Sequence, residues 1–419
     1  MLQSYRDKKV CVYDNGLFVE LATTLSKEFG KTYYYSPWES AFPKSNSRLI
    51  GKGIPNVERV DDIWKIVDDC DLWVFPDVYA GGLQLKLEKL GKRVWGSRRG
   101  EELELYRPDS KEYLKGKGLR IGHYEVVKGL LSLRNYLKEH DDQWIKISLT
   151  RGDMESFHSV NYRNIEPRLD ELEHSLGAKK DLQEFIVEQG IPEAVEVGYD
   201  GYCVDGNFPK KAMCGVEVKD KGYIGVFQDY TDMPQQIQDV NSQVAETLHQ
   251  YRYRNFFSME MRITRDGIPW VIDPCTRMGS PPGELVQMMY TNLADILWYG
   301  AEGRLIDPEP AGKYGVELLI HSSWADKNWQ AVEFPSSVRD NVKFRNLTII
   351  DGKYYVVPQA VGLPEIGAVV GVGDTLEEAC DVVKKAAKKI EGYYVDVFPE
   401  ALDEAQEEIK KLKNYGIKL

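Results

Sequence analysis

The chain has 419 residues, a length that predicts two to three domains with a sizeable hydrophobic core. It is acidic, with a formal net charge of −12, which argues against nucleic acid or an anionic membrane as a partner. The N-terminus (MLQSYRDKKV) lacks the pattern of a signal peptide, and no segment has the composition of a membrane span. Six scattered cysteines without a Cys-x-x-Cys pair indicate a reducing compartment, so we expect a cytoplasmic protein.

Short apolar strands alternate with helices through the first hundred residues. Strands are expected at residues 8–14, 31–36, 71–75 and 92–95, and helices at 17–29, 63–69 and 83–90. This alternation predicts a parallel α/β sheet, whose ligands lie beyond the carboxyl ends of its strands. That edge carries Asp14, Asn15, Asp77, Tyr79 and residues 97–99. Ordinary loop residues on a scaffold domain are an equally weighted alternative for each of them.

A lysine lies in the middle of the short apolar strand WIKIS, residues 144–148. Lys146 stands between two isoleucines whose side chains face away from it, and a lysine in such a strand is uncommon without an anionic partner. Lys111 lies near the start of a helix that is expected to begin around Asp109 or Ser110. A surface lysine is the competing interpretation for both, and it carries more weight for Lys111.

Residues 256–284 (FFSMEMRITRDGIPWVIDPCTRMGSPPGE) are the most informative segment of the chain. Two strands flank Asp266-Gly267, which is a strong signal for a tight hairpin turn. With these as the two turn residues, the register pairs Glu260 with Asp273, Arg262 with Val271 and Met261 with Ile272. Beyond the hairpin we expect one helix at residues 285–299. Another is expected at residues 373–390, capped by Asp374 with Glu377 three residues on.

The two faces of this hairpin differ in character. Two carboxylates directly opposite each other have Cβ atoms about 5 Å apart and repel. We therefore expect a cation beside Glu260 and Asp273, either Arg262 or a divalent ion. A surface hairpin with a structural Arg–carboxylate pair is the competing interpretation. Alternation predicts a polar face of Ser258, Glu260, Arg262, Asp273 and Cys275, and an apolar face of Phe257, Met259, Met261, Ile263, Ile268, Trp270 and Ile272.

This segment resembles the ATP-grasp ligases, which end their ATP site with a carboxylate on one strand, an Asp-Gly turn and acid-x-Asn-x-Arg-x-Gly. The chain has Asp273-Pro-Cys275-Thr-Arg277-Met-Gly279 at that place. The phosphoribosylamine–glycine ligase branch is the most similar in pattern, and its closing helix resembles GDTLEEA at residues 373–379. Cys275 replaces the metal-binding Asn of the family. Because a thiol is a poor Mg²⁺ ligand, this departure puts a second metal in doubt.

The resemblance implies a role for each of several residues. Mg²⁺ or Mn²⁺ would be held by Glu260 and Asp273. The phosphates of ATP would be bound by Lys111, Lys146, Arg151 and Gly152. The adenine edge and the ribose would be bound by Glu184, Phe185, Ile186, Val187 and Glu196, with Glu193 a competitor for the ribose. The candidate catalytic residues are Arg277, which would also bind phosphate, and Arg262, which would orient the carboxylates or bind the intermediate. Candidate substrate neighbours are Asp77, Tyr79, Glu217, Lys219 and Asn292.

A fold and an activity also follow from the resemblance. We expect an α/β protein with a Rossmann-like parallel-sheet domain at residues 1–105, an ATP-grasp domain of two α+β subdomains at 106–305, and a C-terminal α/β domain at 306–419. The implied activity is an ADP-forming ligase, in which ATP phosphorylates a small-molecule carboxylate and an amine then displaces phosphate from the acylphosphate. The alternatives are a biotin-carboxylase-like enzyme and a non-catalytic nucleotide-binding subunit.

Overall fold

The structure is a computed structural model that describes residues 4–37, 46–148, 156–325, 328–358 and 364–419. Arg151 and Gly152, which were predicted to bind phosphate, lie outside these residues. The α/β class predicted from the sequence is confirmed, with helices packed on several sheets. Among the described residues, no helix is both long and apolar enough to cross a membrane. All six cysteines are buried as free thiols.

The first hundred residues form the predicted parallel sheet. Its elements are β1 (Lys9–Tyr13), α1 (Val19–Leu25), β2 (Lys31–Tyr35), β3 (Val57–Arg59), β4 (Leu72–Val74), α2 (Gly81–Lys89) and β5 (Arg93–Trp95). The strand order is β3-β2-β1-β4-β5, and every pair is parallel. All three residues of β4 are buried, as expected for a parallel strand that is covered on both faces. The helix expected at residues 63–69 is only a 3₁₀ turn, Ile63–Lys65.

The next part of the chain builds an antiparallel sheet of order β7-β10-β8-β9. The helices α5 and α6 cover one face, where Leu133, Leu137 and Leu169 form a core with Ile145 and Phe185. The opposite face is left to carry Lys146. The elements are α3 (Glu102–Leu105), α4 (Arg107–Gly116), β6 (Arg120–Ile121), β7 (Tyr124–Lys128), α5 (Leu130–Glu139), β8 (Gln143–Ile147), β9 (Ser156–Ser159), α6 (Tyr162–Leu176) and β10 (Glu184–Gln189).

A ten-stranded sheet follows, and it contains the predicted hairpin. Its first strands and their helices are β11 (Ala194–Val204), β12 (Lys211–Val218), β13 (Gly222–Asp229), α7 (Gln235–Gln250), β14 (Arg254–Thr264), β15 (Pro269–Cys275), α8 (Gly283–Met289) and α9 (Leu293–Ala301). The hairpin pairs β14 with β15, while β14 also pairs with β11 along its length. The apolar residues Phe257, Met259, Met261 and Ile263 of β14 are buried against Ile237 and Val244 of α7.

The C-terminal part extends the same sheet. Its elements are β16 (Tyr314–Ser322), β17 (Gln330–Val332), β18 (Val342–Phe344), β19 (Leu347–Ile350), β20 (Lys353–Val356), β21 (Glu365–Gly373), α10 (Leu376–Ala387), β22 (Val395–Val397) and α11 (Ala401–Asn414). The sheet order is β18-β21-β16-β13-β12-β11-β14-β15-β6, with β22 beside β16, and β17-β20-β19 form a separate sheet. Because the ten-stranded sheet contains strands from both sides of residue 306, the predicted boundary there is not a break in the sheet. The three-domain division stays a prediction.

Two helix predictions differ from the structure. The helix expected at residues 285–299 is two helices, α8 and α9, because the chain between them bonds to the linker instead of to itself: Thr291 N–H donates to the carbonyl of Glu309 at 2.9 Å. The N-cap of α10 is Thr375, one residue later than predicted. Its side chain accepts from the backbone N–H of Glu378, whose carboxylate accepts from the N–H of Thr375.

Candidate active site

A cleft of about 260 Å³ lies between the four-stranded and the ten-stranded sheet. The four-stranded sheet contributes Trp144, Lys146, Glu188 and Gln189, and the ten-stranded sheet contributes Glu196, Glu217, Lys219, Glu260, Arg262 and Asp273. Lys111 of α4 and Arg277, in the loop after β15, complete this group of predicted site residues. The structure therefore brings nine of the eighteen predicted site residues together, although they come from distant parts of the chain.

The predicted pairing of Glu260 with Asp273 across the hairpin is confirmed. The register then shifts by one residue, because a β-bulge lies between Glu260 and Met261. Met261 faces Val271 and Arg262 faces Trp270, so the pairs predicted for these two residues of β14 are wrong. At the turn, the N–H of Thr264 donates to the carbonyl of Ile268, so the loop has three residues instead of the predicted two. The pairing next to the turn is therefore offset by one residue from the prediction, and the bulge restores the predicted pairing at Glu260.

The bulge also changes which residues of β15 reach the core. Val271 is buried beside Met261, whereas Trp270 and Ile272, predicted for the apolar face, are only partly buried. The bulged residue supplies a backbone acceptor, since the Nζ of Lys111 donates to the carbonyl oxygen of Ile272 at 2.7 Å. The irregularity therefore brings a buried lysine to the edge of the acid pair.

Three cations surround the carboxylate of Asp273. The Nζ of Lys146 donates to its Oδ2 at 2.6 Å, Nη1 of Arg107 lies 3.2 Å from its Oδ1, and Nζ of Lys111 lies 3.9 Å from the same oxygen. The sequence predicted Arg262 or a metal for this role, so Arg262 is a correction: its Nη2 donates to the carbonyl of Ala194 at 3.1 Å. Burial acts to raise the pKa of Asp273, but these three cations outweigh it and hold the pKa well below the usual value.

Glu188 is the second carboxylate that the two lysines share. Its oxygens lie 2.6 Å from Nζ of Lys111 and 2.8 Å from Nζ of Lys146. Burial and the neighbouring Lys146 lower the pKa of Lys111. Burial acts in the same direction on Lys146, but Asp273 and Glu188 outweigh it and raise its pKa. In this cluster Lys111, Lys146 and Glu188 are buried and Asp273 is partly exposed to the cleft, and all four charges are paired within the cluster.

Glu260 has a different environment from its partner across the hairpin. Burial, followed by the charges of Glu196 and Asp273, raises the pKa of Glu260 to about 8. The lysines that stabilise the carboxylate of Asp273 therefore do not compensate Glu260 to the same degree. Because nearby positive charge only partly offsets its burial and its acidic neighbours, the ionised carboxylate of Glu260 would be stabilised by an added cation.

Glu260 and Asp273 offer carboxylate oxygens from adjacent strands, and the negative charge of Glu260 is only partly balanced by nearby lysines. These oxygens fit a hard divalent cation whose other ligands come from phosphate and water. Within the described ranges, no three His, Cys, Asp or Glu side chains are grouped closely enough to hold a metal by themselves. Glu260 and Asp273 therefore fit a metal that is shared with a bound phosphate group. The metal role of both residues stays a prediction.

Arg277 is held by an acid that the sequence analysis did not single out. Its Nε donates to Oε1 of Glu104 at 2.8 Å, and its Nη1 donates to the carbonyl of Met278 at 2.9 Å. Glu104 also accepts from the N–H of Thr276 at 2.8 Å, so the whole loop after β15 is tied to α3. Burial raises the pKa of the Cys275 thiol, which is consequently neutral and unsuited to binding Mg²⁺.

The residues predicted for the adenine edge are displaced from the cleft. Phe185, Ile186 and Val187 are buried in β10, and Glu184 is exposed at its start. The cleft is lined by the next four residues, 188–191, which are the last two residues of β10 and the two that follow it. The adenine contact of residues 184–187 stays a prediction. Glu196, predicted for the ribose, does line the cleft.

The predicted substrate neighbours separate into three groups. Glu217 and Lys219 line the cleft. Asp77 and Tyr79 line a different cavity of about 320 Å³ at the carboxyl edge of the parallel sheet. Asn292 is buried and bonds to the linker, donating to the carbonyl of Asp307 and accepting from the N–H of Glu309. It does not line the cleft, and its substrate role stays a prediction.

Several residues of the cleft were not predicted. The signal that selected Lys146, a charged side chain inside a short apolar strand, also applies to Glu188 in EFIVEQ. Arg107 and Glu104 have no such signal, because each lies in a charged segment.

Asp200, which also lines the cleft, accepts from Tyr223 at 2.6 Å and from Ser258 at 2.8 Å. A Cβ at Gly215 would lie 2.1 Å from the Tyr223 hydroxyl, so only glycine fits there.

Solved structures were found that share this architecture over nearly the whole chain. A phosphoribosylamine–glycine ligase from Thermotoga maritima is 17% identical, and the match covers 92% of this chain and 98% of that chain with a TM-score of 0.67. The biotin carboxylase domain of 2-oxoglutarate carboxylase from Hydrogenobacter thermophilus, in complex with MgADP, ADP and bicarbonate, is 15% identical over 96% and 98% of the two chains, with a TM-score of 0.63. The chain has the ATP-grasp fold.

A further structure extends the range of proteins that share the ATP-grasp fold with this chain. An L-amino acid ligase from Bacillus licheniformis is 14% identical over 93% of this chain and 99% of that chain, with a TM-score of 0.60. No family model and no curated protein matches the sequence. The fold therefore rests on the three-dimensional comparison, and at these identities it fixes neither the substrate nor the reaction.

Proposed function

We propose that the chain is an ATP-dependent, ADP-forming ligase that joins a small-molecule carboxylate to an amine through an acylphosphate. The observation that carries the proposal is the convergence of Lys111, Lys146, Glu260 and Asp273 in one cleft. Two buried lysines and two opposed carboxylates provide cations for phosphate oxygens and acids for a divalent metal. The ATP-grasp fold and the ligases that share it support the same reaction class.

The buried lysines would act by exchanging partners. In the ligand-free protein their ammonium groups neutralise Asp273 and Glu188. A triphosphate that enters the cleft offers these same groups oxygen acceptors of higher charge, so Lys111 and Lys146 would turn to the phosphates. The charge of Asp273 would then be available to a metal. This exchange keeps the two lysines and Asp273 compensated, because each exchanges one partner of opposite charge for another.

The metal, Mg²⁺ or Mn²⁺, would be held by Glu260 and Asp273 and would supply positive charge to the transferred phosphoryl group. Arg277 would orient the substrate carboxylate, because Glu104 and the Met278 carbonyl fix its guanidinium at the cleft wall. The carboxylate oxygen attacks the terminal phosphorus of ATP and ADP leaves. The amine nitrogen then attacks the acyl carbon, the C–O bond to phosphate breaks, and the amine releases a proton to solvent.

The test is ADP release by the whole chain with Mg²⁺ and ATP, across a matrix of amino acids, other small carboxylates, and mono- and polyamines. The expected result is ADP and phosphate formation that requires one acid and one amine together, with a product whose mass equals their sum minus water. Bicarbonate with biotin is included to test the biotin-carboxylase-like alternative. Nucleotide binding without ADP release for any pair would support the non-catalytic alternative, with which the poor ligand Cys275 is compatible.

A further inference from the structure

A second cavity lies away from the cleft, where three parts of the chain meet. It has a volume of about 220 Å³. Its walls come from α1 and the turn that follows it, from the end of α8 and the start of α9, and from the segment around β18. Leu25, Met288, Leu293 and Ala294 give it an apolar side. The charged side is formed by Lys343 together with residues at its rim.

Lys343 is the unusual member of this lining. It lies in β18 between Val342 and Phe344, both buried, and is itself only 5% exposed. The described residues offer its ammonium neither a hydrogen bond nor an ion pair, in contrast to the buried lysines of the cleft. A buried charge without a partner is costly, and such groups are normally paired or bound to a ligand.

The acids near Lys343 are already engaged by other cations. Both oxygens of Glu20 accept from Nη2 of Arg339, at 2.9 and 3.0 Å. Asp340 pairs with Lys27 at 2.8 Å on the surface. Arg339 and Lys27 are thus paired with Glu20 and Asp340, and Lys343 is the buried cation that remains beside these two pairs. Glu28, exposed at the rim of the cavity, is the other acid that lines it.

The pKa of Lys343 reflects this imbalance. Burial lowers it, Arg339 and Lys27 act in the same direction, Glu20 and Asp340 oppose them, and the resulting pKa is about 8. Lys27 and Asp340, whose charges act on Lys343, themselves line the cavity, so the ammonium lies on its charged side. The amine is therefore protonated at neutral pH and becomes neutral a little above it.

We propose that this cavity is a binding site, separate from the catalytic cleft, for a small organic monoanion. Its charged group would pair with Lys343, and its apolar body would pack on Met288, Leu293 and Ala294. A carboxylate on a short hydrocarbon or a single ring matches one buried cation beside an apolar wall of this size. Because the cavity is lined by three separate parts of the chain, the ligand would also link them and raise the melting temperature by mass action.

The test uses the full chain and two probes of nearly equal shape, 4-fluorobenzoate and the neutral 4-fluorobenzamide, followed by ¹⁹F NMR titration. The parent is expected to bind the carboxylate and not the amide. Lys343→Met is expected to weaken carboxylate binding by about tenfold or more, since a charge-assisted contact is lost. Lys31→Met is the matched control, because Lys31 is paired with Glu58 at the surface and does not line the cavity, and the affinity of this variant should stay close to that of the parent.

Two further measurements keep the test decisive if Lys343→Met fails to fold. Ala294→Leu fills the cavity, retains Lys343, and should abolish binding. For the parent, affinity should fall as the pH rises from 7 to 9.5, because Lys343 loses its proton in this range. The other charged groups that face it are Glu20, Lys27, Glu28, Arg339 and Asp340; of these, Arg339 has a raised pKa and Asp340 a lowered one, so both keep their charge. The proposal is overturned if the parent does not bind the carboxylate, if the amide binds equally well, or if Ala294→Leu binds like the parent.

Discussion

Lys146 and Asp273 form a partly buried ion pair across the cleft, with Nζ 2.6 Å from Oδ2. The pair joins the four-stranded sheet to the ten-stranded sheet, and Glu188, Lys111 and Arg107 complete its charge balance. In the ligand-free protein this contact is structural, whereas with nucleotide bound the same two side chains would serve phosphate and metal. The predictions below follow from that double role.

The first prediction concerns stability without ligand. Lys146→Met and Asp273→Asn should each lower the free energy of unfolding by about 3 kcal/mol in EDTA, because each removes one member of a cluster of mutually paired charges. The double variant should lose clearly less than the sum, which identifies direct coupling. Urea unfolding of all four proteins measures this cycle. Lys31→Met is the control: its surface pair with Glu58, at 2.8 Å, should contribute no more than about 1 kcal/mol. Additive losses would contradict the pairing.

The second prediction concerns nucleotide. Lys146→Met should weaken binding of a non-hydrolysable ATP analogue with Mg²⁺ by about tenfold or more, because a charge-assisted contact to phosphate is lost. Calorimetry at a temperature where the variant remains folded gives the affinity, and Lys31→Met again serves as control. An affinity equal to that of the parent would remove Lys146 from the phosphate site and leave it with its structural role alone.

The third prediction concerns pH. The pKa of Glu260 is raised from its usual 4.5 to about 8, so the folded protein retains a proton that the unfolded chain releases. The resulting stabilisation is fully present below pH 4.5 and is lost as pH rises through about 8. Relative to Glu260→Gln, the parent should therefore lose about 2 kcal/mol between pH 6 and 9 in EDTA. The free energies of unfolding are measured with urea for both proteins. If they change equally between pH 6 and 9, Glu260 is already ionised at pH 6 and the prediction is wrong.

The fourth prediction concerns the position where the family has asparagine. Cys275→Asn should lower the Mg²⁺ or Mn²⁺ concentration needed for half-maximal ADP release, because an amide oxygen is a better ligand for these ions than a neutral thiol. Cys275→Ser should change the metal dependence little. Both variants are assayed by metal titration at saturating ATP. A large loss of activity in Cys275→Ser would indicate a chemical role for the thiol instead.

The sequence alone predicted those features of the cleft for which a charged residue type and the alternation of side chains along a strand occur in the same short segment. The pairing of Glu260 with Asp273 needed only a turn signal and alternation, and Lys146 was recognisable as a charge inside an apolar strand. Arg107 was not predicted because its importance arises from the packing of α4 against the hairpin, which no local pattern records. Glu188 was not predicted although it carries the same local signal as Lys146. The cations around Asp273 come from α4 and β8, far from the hairpin in sequence, so Arg262, the local candidate, was chosen instead.

Residues 184–187, predicted for the adenine edge, do not line the cleft for a related reason. The apolar run of β10 is visible in the sequence, but the residue at which its backbone stops bonding to β8 depends on the length of that neighbouring strand. The split between α8 and α9 likewise depends on the linker at Glu309, which takes the N–H of Thr291. In both cases the missing information is the position of a partner that is distant in sequence.

The bulge between Glu260 and Met261 separates the hairpin into two independently registered halves. Pairing on the cleft side is set by Glu260 and Asp273, and pairing on the turn side is set by the loop at Asp266-Gly267. A change in loop length would therefore be absorbed between the bulge and the tip, without moving the acid pair. This makes the hairpin tip a permissive insertion point, at which a reporter peptide or an affinity tag could be placed while the catalytic geometry stays intact.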